Sequence, residues 1–252
     1  MTSLPEISGE NFDAVLFDMD GVLTATAKLH AAAWKQTFDA FLKQRAEARK
    51  ETFIPFDIGK DYREYIDGKP RFDGVESFIA SRGIELPHGG PTDPPNAETI
   101  CGLGNKKNEL VNEIMDREGV EAYPGSVKAL RYLRDRGYKT AVVSSSTNCA
   151  DVLKAARIES LIDVRIDGET ATDLNLAGKP EPDMFLAAAK QLGVEASRSI
   201  VVEDALAGVQ AGKRGGFGLV IGIARAANSD ELKKQGADLV VGDLEELIPQ
   251  KS

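Results

Sequence analysis

The sequence predicts an α/β protein with a doubly wound, Rossmann-like parallel sheet and a helical cap domain inserted after the first strand. Short β-branched runs alternate with single helical segments from Tyr123 onward, a pattern typical of right-handed βαβ units. The apolar run Ala14 to Phe17 predicts one more buried strand, whereas residues 27–118 show only helical periodicity. We therefore expect a core domain of residues 1–26 and 119–252, interrupted by an inserted α-helical domain of residues 27–118.

The inserted domain is expected to contain several helices. Residues 1–12 form a polar lead-in before the first strand, and a long helix follows that strand. Two shorter helices flank Asp67–Arg71, and Leu86–Gly102, rich in Pro and Gly, is expected to be a surface loop without secondary structure. A further helix then begins at Leu103. The long helix has one apolar face because its apolar residues recur every three or four positions: Leu29, Ala33, Trp34, Phe38, Phe41 and Leu42.

The core domain is expected to alternate strands and helices to the end of the chain, with glycine closing helices at Gly137 and Gly193. The expected strands are KTAVVSSS, DVRID, SIVVED, LVIGIA and ADLVVGD. The expected helices are SVKALRYLRDRG, NCADVLKAARI, PDMFLAAAKQLG, ALAGVQAGKRGG, SDELKKQG and LEELIPQ.

Composition excludes several classes of partner. The net charge of −9 over 252 residues argues against a nucleic-acid surface or an anionic membrane as partner. No apolar run is long enough to span a bilayer, and the N-terminal residues lack the features of a signal peptide, so we expect a cytoplasmic protein. Cys101 and Cys149 are too few for a disulfide framework or a zinc site, and we expect both to be packing residues.

Two carboxylates follow the first strand. Asp18 and Asp20 are two residues apart, so in extended chain both project toward the same side. Carboxylates this close repel each other unless a cation or a proton intervenes, and a hard divalent ion such as Mg²⁺ suits oxygen ligands. The alternative is an ordinary turn, because Asp-Gly is a common turn dipeptide. The partners found further along the chain favour the metal site.

Three more expected strand ends carry suitable polar groups. Ser144, Ser146 and Asn148 follow the second strand, where hydroxyls and backbone N–H groups can hold phosphate oxygens or, alternatively, cap the next helix. Lys179 precedes a helix and has acids to pair with. Glu203 and Asp204 end another apolar strand, where a cation or the following helix N-terminus can offset their charge.

The order of these motifs, DxDGV, SSS, KP and ED, resembles the haloacid dehalogenase superfamily over residues 12–248. HAAAW, DGKPR, NKKN and VVEDALAGVQA narrow the resemblance to its β-phosphoglucomutase-like branch. This resemblance implies Mg²⁺-dependent phosphoryl transfer on a small phosphosugar. The reaction implied is the isomerisation of β-glucose 1-phosphate to glucose 6-phosphate through an aspartyl-phosphate. We also expect a monomer without nucleic-acid or membrane partners.

The resemblance implies a role for each matching position. Asp18 would be the nucleophile and Asp20 the general acid/base, and both, with Glu203 and Asp204, would hold the metal, Asp20 through its backbone oxygen. Substrate and phosphate contacts would come from a wider group, in which Arg71 binds the distal phosphate, Lys107 extends from the cap, and Thr26 and His30 couple cap closure to the acid/base. That group is Thr26, His30, Gly68, Arg71, Lys107, Ser144, Ser146, Asn148 and Lys179.

Several positions depart from the branch pattern and leave alternatives open. Ala25 and Thr147 stand where an acid and a lysine are usual, Lys69-Pro70 replaces smaller residues, and the Pro-rich stretch is an insertion. The same residues could therefore serve a phosphatase that hydrolyses a small phosphorylated metabolite. Dehalogenase or phosphonatase chemistry and a non-catalytic phosphosugar-binding protein fit the motifs less well. We assign no role to His88, which lies in the loop.

Overall fold

The computed structural model describes residues 11–225 and 228–249 and divides the chain into two compact units. The core unit comprises Met1–Ala25 and Val120–Ser252, and the inserted unit comprises Thr26–Gly119. Residues 1–10, which include most of the polar lead-in, lie outside the described residues. None of the helices in the described ranges combines the length and apolar character needed to cross a bilayer.

The core unit contains a six-stranded parallel sheet in the order β3-β2-β1-β4-β5-β6. The strands are β1 (Ala14–Phe17), β2 (Lys139–Val143), β3 (Val164–Ile166), β4 (Ser199–Glu203), β5 (Leu219–Ile223) and β6 (Leu239–Val241). In β1, Phe17 pairs with Val142 of β2 and with Val202 of β4, so β1 is central. This is the strand order of dinucleotide-binding folds, in which ligands bind beyond the carboxyl ends of the strands where the order reverses.

The helices fall into two sets, one in each unit. In the inserted unit they are α1 (Ala27–Arg49), α2 (Arg71–Ser81) and α3 (Ile100–Glu118), with a π-helical turn at Tyr62–Ile66. In the core unit they are α4 (Pro124–Asp135), α5 (Cys149–Ala155), α6 (Gly168–Asp173), α7 (Asp183–Leu192), α8 (Leu206–Arg214) and α9 (Ser229–Gln235), with 3₁₀ turns at Glu159–Leu161, Ala196–Arg198 and Leu244–Leu247.

Both faces of the sheet are covered by apolar side chains. Successive β1 residues alternate between the faces, as expected for a strand. Ala14 and Leu16 pack in a cluster with Phe185 of α7 and Val209 of α8. Val15 and Phe17 line a small apolar cavity with residues of α4 and of the final 3₁₀ turn. Burial on both faces explains the continuous apolar composition of β1.

The inserted unit has an aromatic core. The ring of Phe38 on α1 lies 5.1 Å from that of Trp34 and 4.3 Å from that of Phe78 on α2, measured between centroids. Phe56 contacts Phe78 edge to face at 4.9 Å. Offset and edge-to-face arrangements are the favoured geometries of aromatic pairs. The apolar stripe predicted for α1 therefore faces a core made of the unit's own residues.

Three local expectations were wrong. α3 begins at Ile100, inside the stretch expected to lack secondary structure, because the Thr99 hydroxyl caps it by accepting from the Gly102 N–H at 2.9 Å. α6 was not expected and is capped by Asp167, which accepts from the Thr170 N–H. The last segment forms only a 3₁₀ turn over Leu244–Leu247, because helical torsion angles are unfavourable at Ile248, which precedes Pro249.

Candidate active site

The carboxyl ends of the three central strands present the candidate catalytic groups at one edge of the sheet. Asp18 directly follows β1, and its N–H extends the ladder by donating to the Val202 carbonyl at 2.9 Å. Ser144 directly follows β2, and Glu203 is the last residue of β4. Because β2, β1 and β4 are neighbours in the sheet, residues from distant parts of the chain meet there.

Lys179 connects these groups through its ammonium. Its Nζ donates to Asp18 Oδ1 at 2.5 Å, to Glu203 Oε1 at 2.6 Å and to the Val143 carbonyl at 3.0 Å. An ammonium has three donors, so these bonds use all of them. The Lys179 side chain is fully buried. The expected lysine is thus placed directly against the expected nucleophile.

The charges at this edge do not balance without a further cation or a proton. Burial raises the pKa of Asp18 well above its usual value, and the nearby Glu203 carboxylate raises it further. Burial alone would lower the pKa of Lys179, but the Asp18 and Glu203 carboxylates raise it above its usual value. Two buried carboxylates therefore share one ammonium, which leaves net negative charge in a region of low dielectric.

A third carboxylate completes a possible metal-binding group. Asp18, Glu203 and Asp204 each offer an oxygen, and these three oxygens lie within 4.8 Å of one another. Glu203 is oriented by the Ala205 N–H, which donates to Oε2 at 2.8 Å. Gly208 allows α8 to lie close to Glu203, since a Cβ at that position would be 1.7 Å from Oε1. Oxygen ligands of this type suit Mg²⁺.

Asp20 lies in the turn that follows Asp18. It forms a bridge with Thr24, and the Gly21 N–H donates to the Thr24 carbonyl at 2.8 Å. Gly21 has a φ of +87°, which favours glycine, and an added Cβ would be 1.9 Å from Asp204 Oδ2. The turn therefore brings backbone and carboxylates close together. The Asp20 side chain is half-buried and does not belong to the group of three carboxylates formed by Asp18, Glu203 and Asp204. The sequence predicts that Asp20 binds the metal only through its backbone oxygen.

The serine-rich segment after β2 is ordered by bonds between side chains and backbone. The Ser146 N–H donates to Ser144 Oγ at 3.1 Å, and the Asn148 N–H donates to Ser146 Oγ at 3.2 Å. Asn148 stands at the N-cap position of α5 without a side-chain capping bond. The hydroxyls thus fold the segment into successive turns beside β2, with Ser144 buried and the other two half-buried.

Three of the remaining predicted residues form one buried cluster in the inserted unit. Thr26 lies at the N-cap of α1, and its carbonyl accepts from the His30 N–H at 3.0 Å. Lys107 Nζ on α3 lies 2.9 Å from His30 Nδ1 and 5.0 Å from the centroid of the Trp34 ring. Since an ammonium has no acceptor, His30 Nδ1 accepts this bond and the imidazole proton lies on Nε2.

Gly68 and Arg71 flank the start of α2 in the same unit. Gly68 has a φ of +75° in the turn closed by the Lys69 N–H, which donates to the Ile66 carbonyl. Lys69 itself donates to Ser77 Oγ at 2.9 Å. The Arg71 guanidinium lies over the Phe72 ring, with Cζ 4.8 Å from the centroid. The predicted residues of the inserted unit therefore form two local groups, around Lys107 and around Arg71.

One residue near the candidate site was not anticipated. Arg225, just after β5, donates from Nε to the Gly21 carbonyl at 3.0 Å and from Nη1 to Asp243 Oδ2 at 2.8 Å. Its Cζ lies 3.8 Å from the centroid of the Tyr123 ring. Arg225 thus ties the turn after Asp20 to the segment where the chain returns to the core unit. Its sequence context carries no motif, so only the folded chain reveals this role.

Comparison with known proteins identifies the class of protein to which this fold and this candidate site belong. A family model described as haloacid dehalogenase-like hydrolase matches residues 12–216. The β-phosphoglucomutase of Mycobacterium tuberculosis is 49% identical over 242 residues, 95% of this chain and 92% of that protein. The β-phosphoglucomutase of Bacillus subtilis is 31% identical over 234 residues, covering 93% and 91%.

Solved structures agree with the sequence comparison. The crystal structure of β-phosphoglucomutase from Clostridium difficile superposes with a TM-score of 0.73 at 25% identity, covering 94% of this chain and 93% of that one. The chain belongs to the haloacid dehalogenase-like hydrolases, and within them to the group that contains the β-phosphoglucomutases. The fold class expected from the sequence is confirmed.

Proposed function

We propose that this protein transfers phosphoryl groups on a phosphosugar through an aspartyl-phosphate at Asp18, and that it acts as a β-phosphoglucomutase. The observation that carries the chemistry is the buried contact of Asp18 with Lys179 at 2.5 Å, beside Glu203 and Asp204. The choice of substrate is supported by the 49% identity to the mycobacterial β-phosphoglucomutase over nearly its whole length.

Asp18 attacks through one of its two oxygens. Lys179 holds Oδ1, and we therefore assign the attack on phosphorus to Oδ2. The new Oδ2–P bond forms as the bond from phosphorus to the sugar oxygen breaks, and Asp20 gives its proton to the departing oxygen. In the second transfer Asp20 removes the proton of a sugar hydroxyl, which attacks the aspartyl-phosphate. Lys179 stabilises negative charge in both steps.

The carboxylate group fits Mg²⁺. Two buried carboxylates share a single ammonium, and Asp204 adds a third carboxylate within 4.8 Å, so a divalent cation would relieve their mutual repulsion. We propose that Asp18, Glu203 and Asp204 hold the ion together with the backbone oxygen of Asp20. When bound, Mg²⁺ supplies positive charge that neutralises the oxygens of the transferring phosphoryl group.

Mg²⁺ is expected to stabilise the folded protein. At about a hundred times its dissociation constant it should add about 2.7 kcal/mol to the free energy of unfolding, which raises Tm by several degrees. Thermal unfolding of chelator-treated protein measures this rise without reference to activity. Asp204→Asn should abolish the rise, whereas Asp135→Asn, at an exposed carboxylate on α4, should retain it. An undiminished rise in Asp204→Asn would place the ion elsewhere.

The residues of the inserted unit are proposed to contact the substrate. Arg71 would bind the phosphate that is not being transferred, because its planar guanidinium matches a phosphate in a bidentate arrangement. Lys107 and His30, already joined at 2.9 Å, would act with Thr26 on the sugar and on the acid/base. Gly68 would give the loop before α2 the conformation that presents Arg71. Ser144, Ser146 and Asn148 would hold the transferring phosphoryl group.

A paired assay tests the proposed reaction. Purified protein with Mg²⁺, β-glucose 1-phosphate and a trace of the glucose bisphosphate should form glucose 6-phosphate with little free phosphate. Arg71→Ala should lower kcat/KM for this isomerisation by about a hundredfold, since a bidentate charged contact is lost while the bisphosphate must bind in both orientations. Free phosphate without isomer would contradict the mutase and establish a phosphatase that uses the same residues.

A further inference from the structure

Arg71 is held by an aromatic ring rather than by a carboxylate. Arg71 is half-buried, and this burial lowers the pKa of Arg71, although arginine keeps its charge in proteins. Within residues 11–225 and 228–249 its Nε has no hydrogen-bond partner, and no carboxylate forms an ion pair with it. The contact that the structure does show is with the face of Phe72, at 4.8 Å. This arrangement orients the cation without neutralising it.

Besides Arg71, Phe72 has two close neighbours, His88 and Gly104. The imidazole of His88 contacts it edge to face, with ring centroids 6.5 Å apart and an interplanar angle of 72°. Phe72 also lies close to Gly104 of α3, where an added Cβ would be 2.7 Å from Phe72 Cδ1 and 3.1 Å from Arg71 Cγ. The Phe72 ring is therefore confined by these neighbours, and the Arg71 guanidinium lies over its face.

His88 is in turn fixed by the Pro-rich segment, residues 86–102. The Cys101 N–H donates to the His88 carbonyl at 3.0 Å, and Cys101 Sγ lies 3.7 Å from His88 Nδ1. The middle of the segment is tied to α3, because Asn105 Nδ2 donates to the Pro91 and Asp93 carbonyls at 3.0 and 2.8 Å. Hydrogen bonds to α3 therefore hold the Pro-rich segment in place, including His88, whose ring contacts Phe72.

We propose that Phe72, His88 and Gly104 form a positioning support that holds Arg71 ready for the second phosphate of the substrate. This inference rests on the proposed function, in which Arg71 binds that phosphate. Arginine loses rotamer freedom when it binds, and a side chain ordered beforehand loses less, so the support lowers KM. The three residues act through Arg71 and do not touch the reacting atoms. The Pro-rich segment then has a definite purpose, which is to supply His88 to the support.

The test compares two substrates that differ in their need for Arg71. With β-glucose 1-phosphate and the bisphosphate primer, each transfer step has a second phosphate that is not being transferred, whereas p-nitrophenyl phosphate has only the phosphate that is transferred. Phe72→Leu removes the aromatic face, and Gly104→Ala displaces the ring. Both variants should raise KM for β-glucose 1-phosphate by about fivefold to tenfold, with kcat and the hydrolysis of p-nitrophenyl phosphate nearly unchanged.

Two matched controls accompany these variants. Gly74→Ala adds the same methyl group to α2, but the nearest atom, Ile66 Cδ1, would be 3.5 Å away, an ordinary contact. Phe72→Tyr keeps the aromatic face. Both should behave as the wild type does. In an Arg71→Ala background Phe72→Leu should raise KM no further, because the support acts only through Arg71.

The outcomes separate this inference from the proposed function. If Arg71→Ala raises KM while Phe72→Leu and Gly104→Ala do not, the support is excluded and the proposed role of Arg71 stands. If Arg71→Ala leaves KM unchanged, both are excluded. If Phe72→Leu unfolds, Gly104→Ala decides: a rise in KM confined to β-glucose 1-phosphate supports the inference, and an equal loss on both substrates overturns it.

Discussion

Asp18→Asn is expected to lose phosphoryl transfer completely, with kcat falling by about 10⁴-fold or more on every phosphorylated substrate. The amide cannot form the acyl phosphate, and no other carboxylate replaces it at the end of β1. Activity assays with β-glucose 1-phosphate and with p-nitrophenyl phosphate measure the loss. Phosphate incorporation from acetyl phosphate, followed by mass spectrometry, shows whether the aspartyl-phosphate still forms.

The fold should survive this substitution. Burial raises the folded-state pKa of Asp18, and a carboxyl group with a raised pKa destabilises the folded state at pH values above its unfolded-state pKa. Asparagine has the same shape and removes that cost, while Lys179 keeps its 2.6 Å bond to Glu203. Near neutral pH the Tm of Asp18→Asn should therefore equal or exceed that of the wild type.

Asp20→Asn is the matched control for this prediction. It should slow transfer to and from sugar hydroxyls, since these need a proton acceptor or donor, by about 10²- to 10⁴-fold. It should still allow acetyl phosphate to phosphorylate Asp18, because acetate leaves without a proton. Residual turnover of Asp18→Asn within about a hundredfold of the wild type would rule out the aspartyl-phosphate mechanism.

The strand ends of the candidate site could be predicted from sequence because they depend on local pattern. The apolar runs before Asp18, Ser144 and Glu203 define buried parallel strands, and parallel strands share one carboxyl edge. The position of Lys179 between two carboxylates was harder to predict from the sequence. It depends on contacts between residues 18, 179 and 203, and periodicity carries no information about such separations.

Features that depend on packing between distant segments escaped sequence reasoning. Arg225 shows no motif, yet it bonds to the Gly21 carbonyl across about 200 positions of sequence. His88 received no role, because a histidine in a Pro-rich loop has no periodic context. Its contact with Phe72 depends on how the folded loop, which Asn105 bonds to α3, lies against α2. Glycine and proline predict where a loop lies but not which side chain it presents.

Replacement of Lys179 by Met should impair both stability and activity. The change leaves Asp18 and Glu203 buried without their shared ammonium, and breaking a buried charge pair from one side costs about 3–5 kcal/mol. Phosphoryl transfer should fall by about 10³-fold, since the positive charge nearest the nucleophile is lost. Urea unfolding and the isomerisation assay measure the two effects separately.

The loss of stability in Lys179→Met should depend on pH in a direction that follows from the pKa of Lys179. The pKa of Lys179 is raised in the folded state, so its stabilising effect is fully present below its unfolded-state pKa and is lost only in alkaline solution. The deficit of Lys179→Met should therefore be constant between about pH 7 and 9. It should shrink as the pH falls, because burial raises the pKa of Asp18 and protonation of this carboxylate relieves its repulsion with Glu203.

An exposed lysine on the same part of the chain supplies the control. Lys190→Met on α7 removes an identical charge from the surface and should change stability by less than about 0.5 kcal/mol. Mg²⁺ should restore part of the stability of Lys179→Met, because both the ion and the ammonium offset the same carboxylates, but it should not restore transfer. Wild-type activity in Lys179→Met would show that the buried ammonium organises the strand ends without taking part in the chemistry.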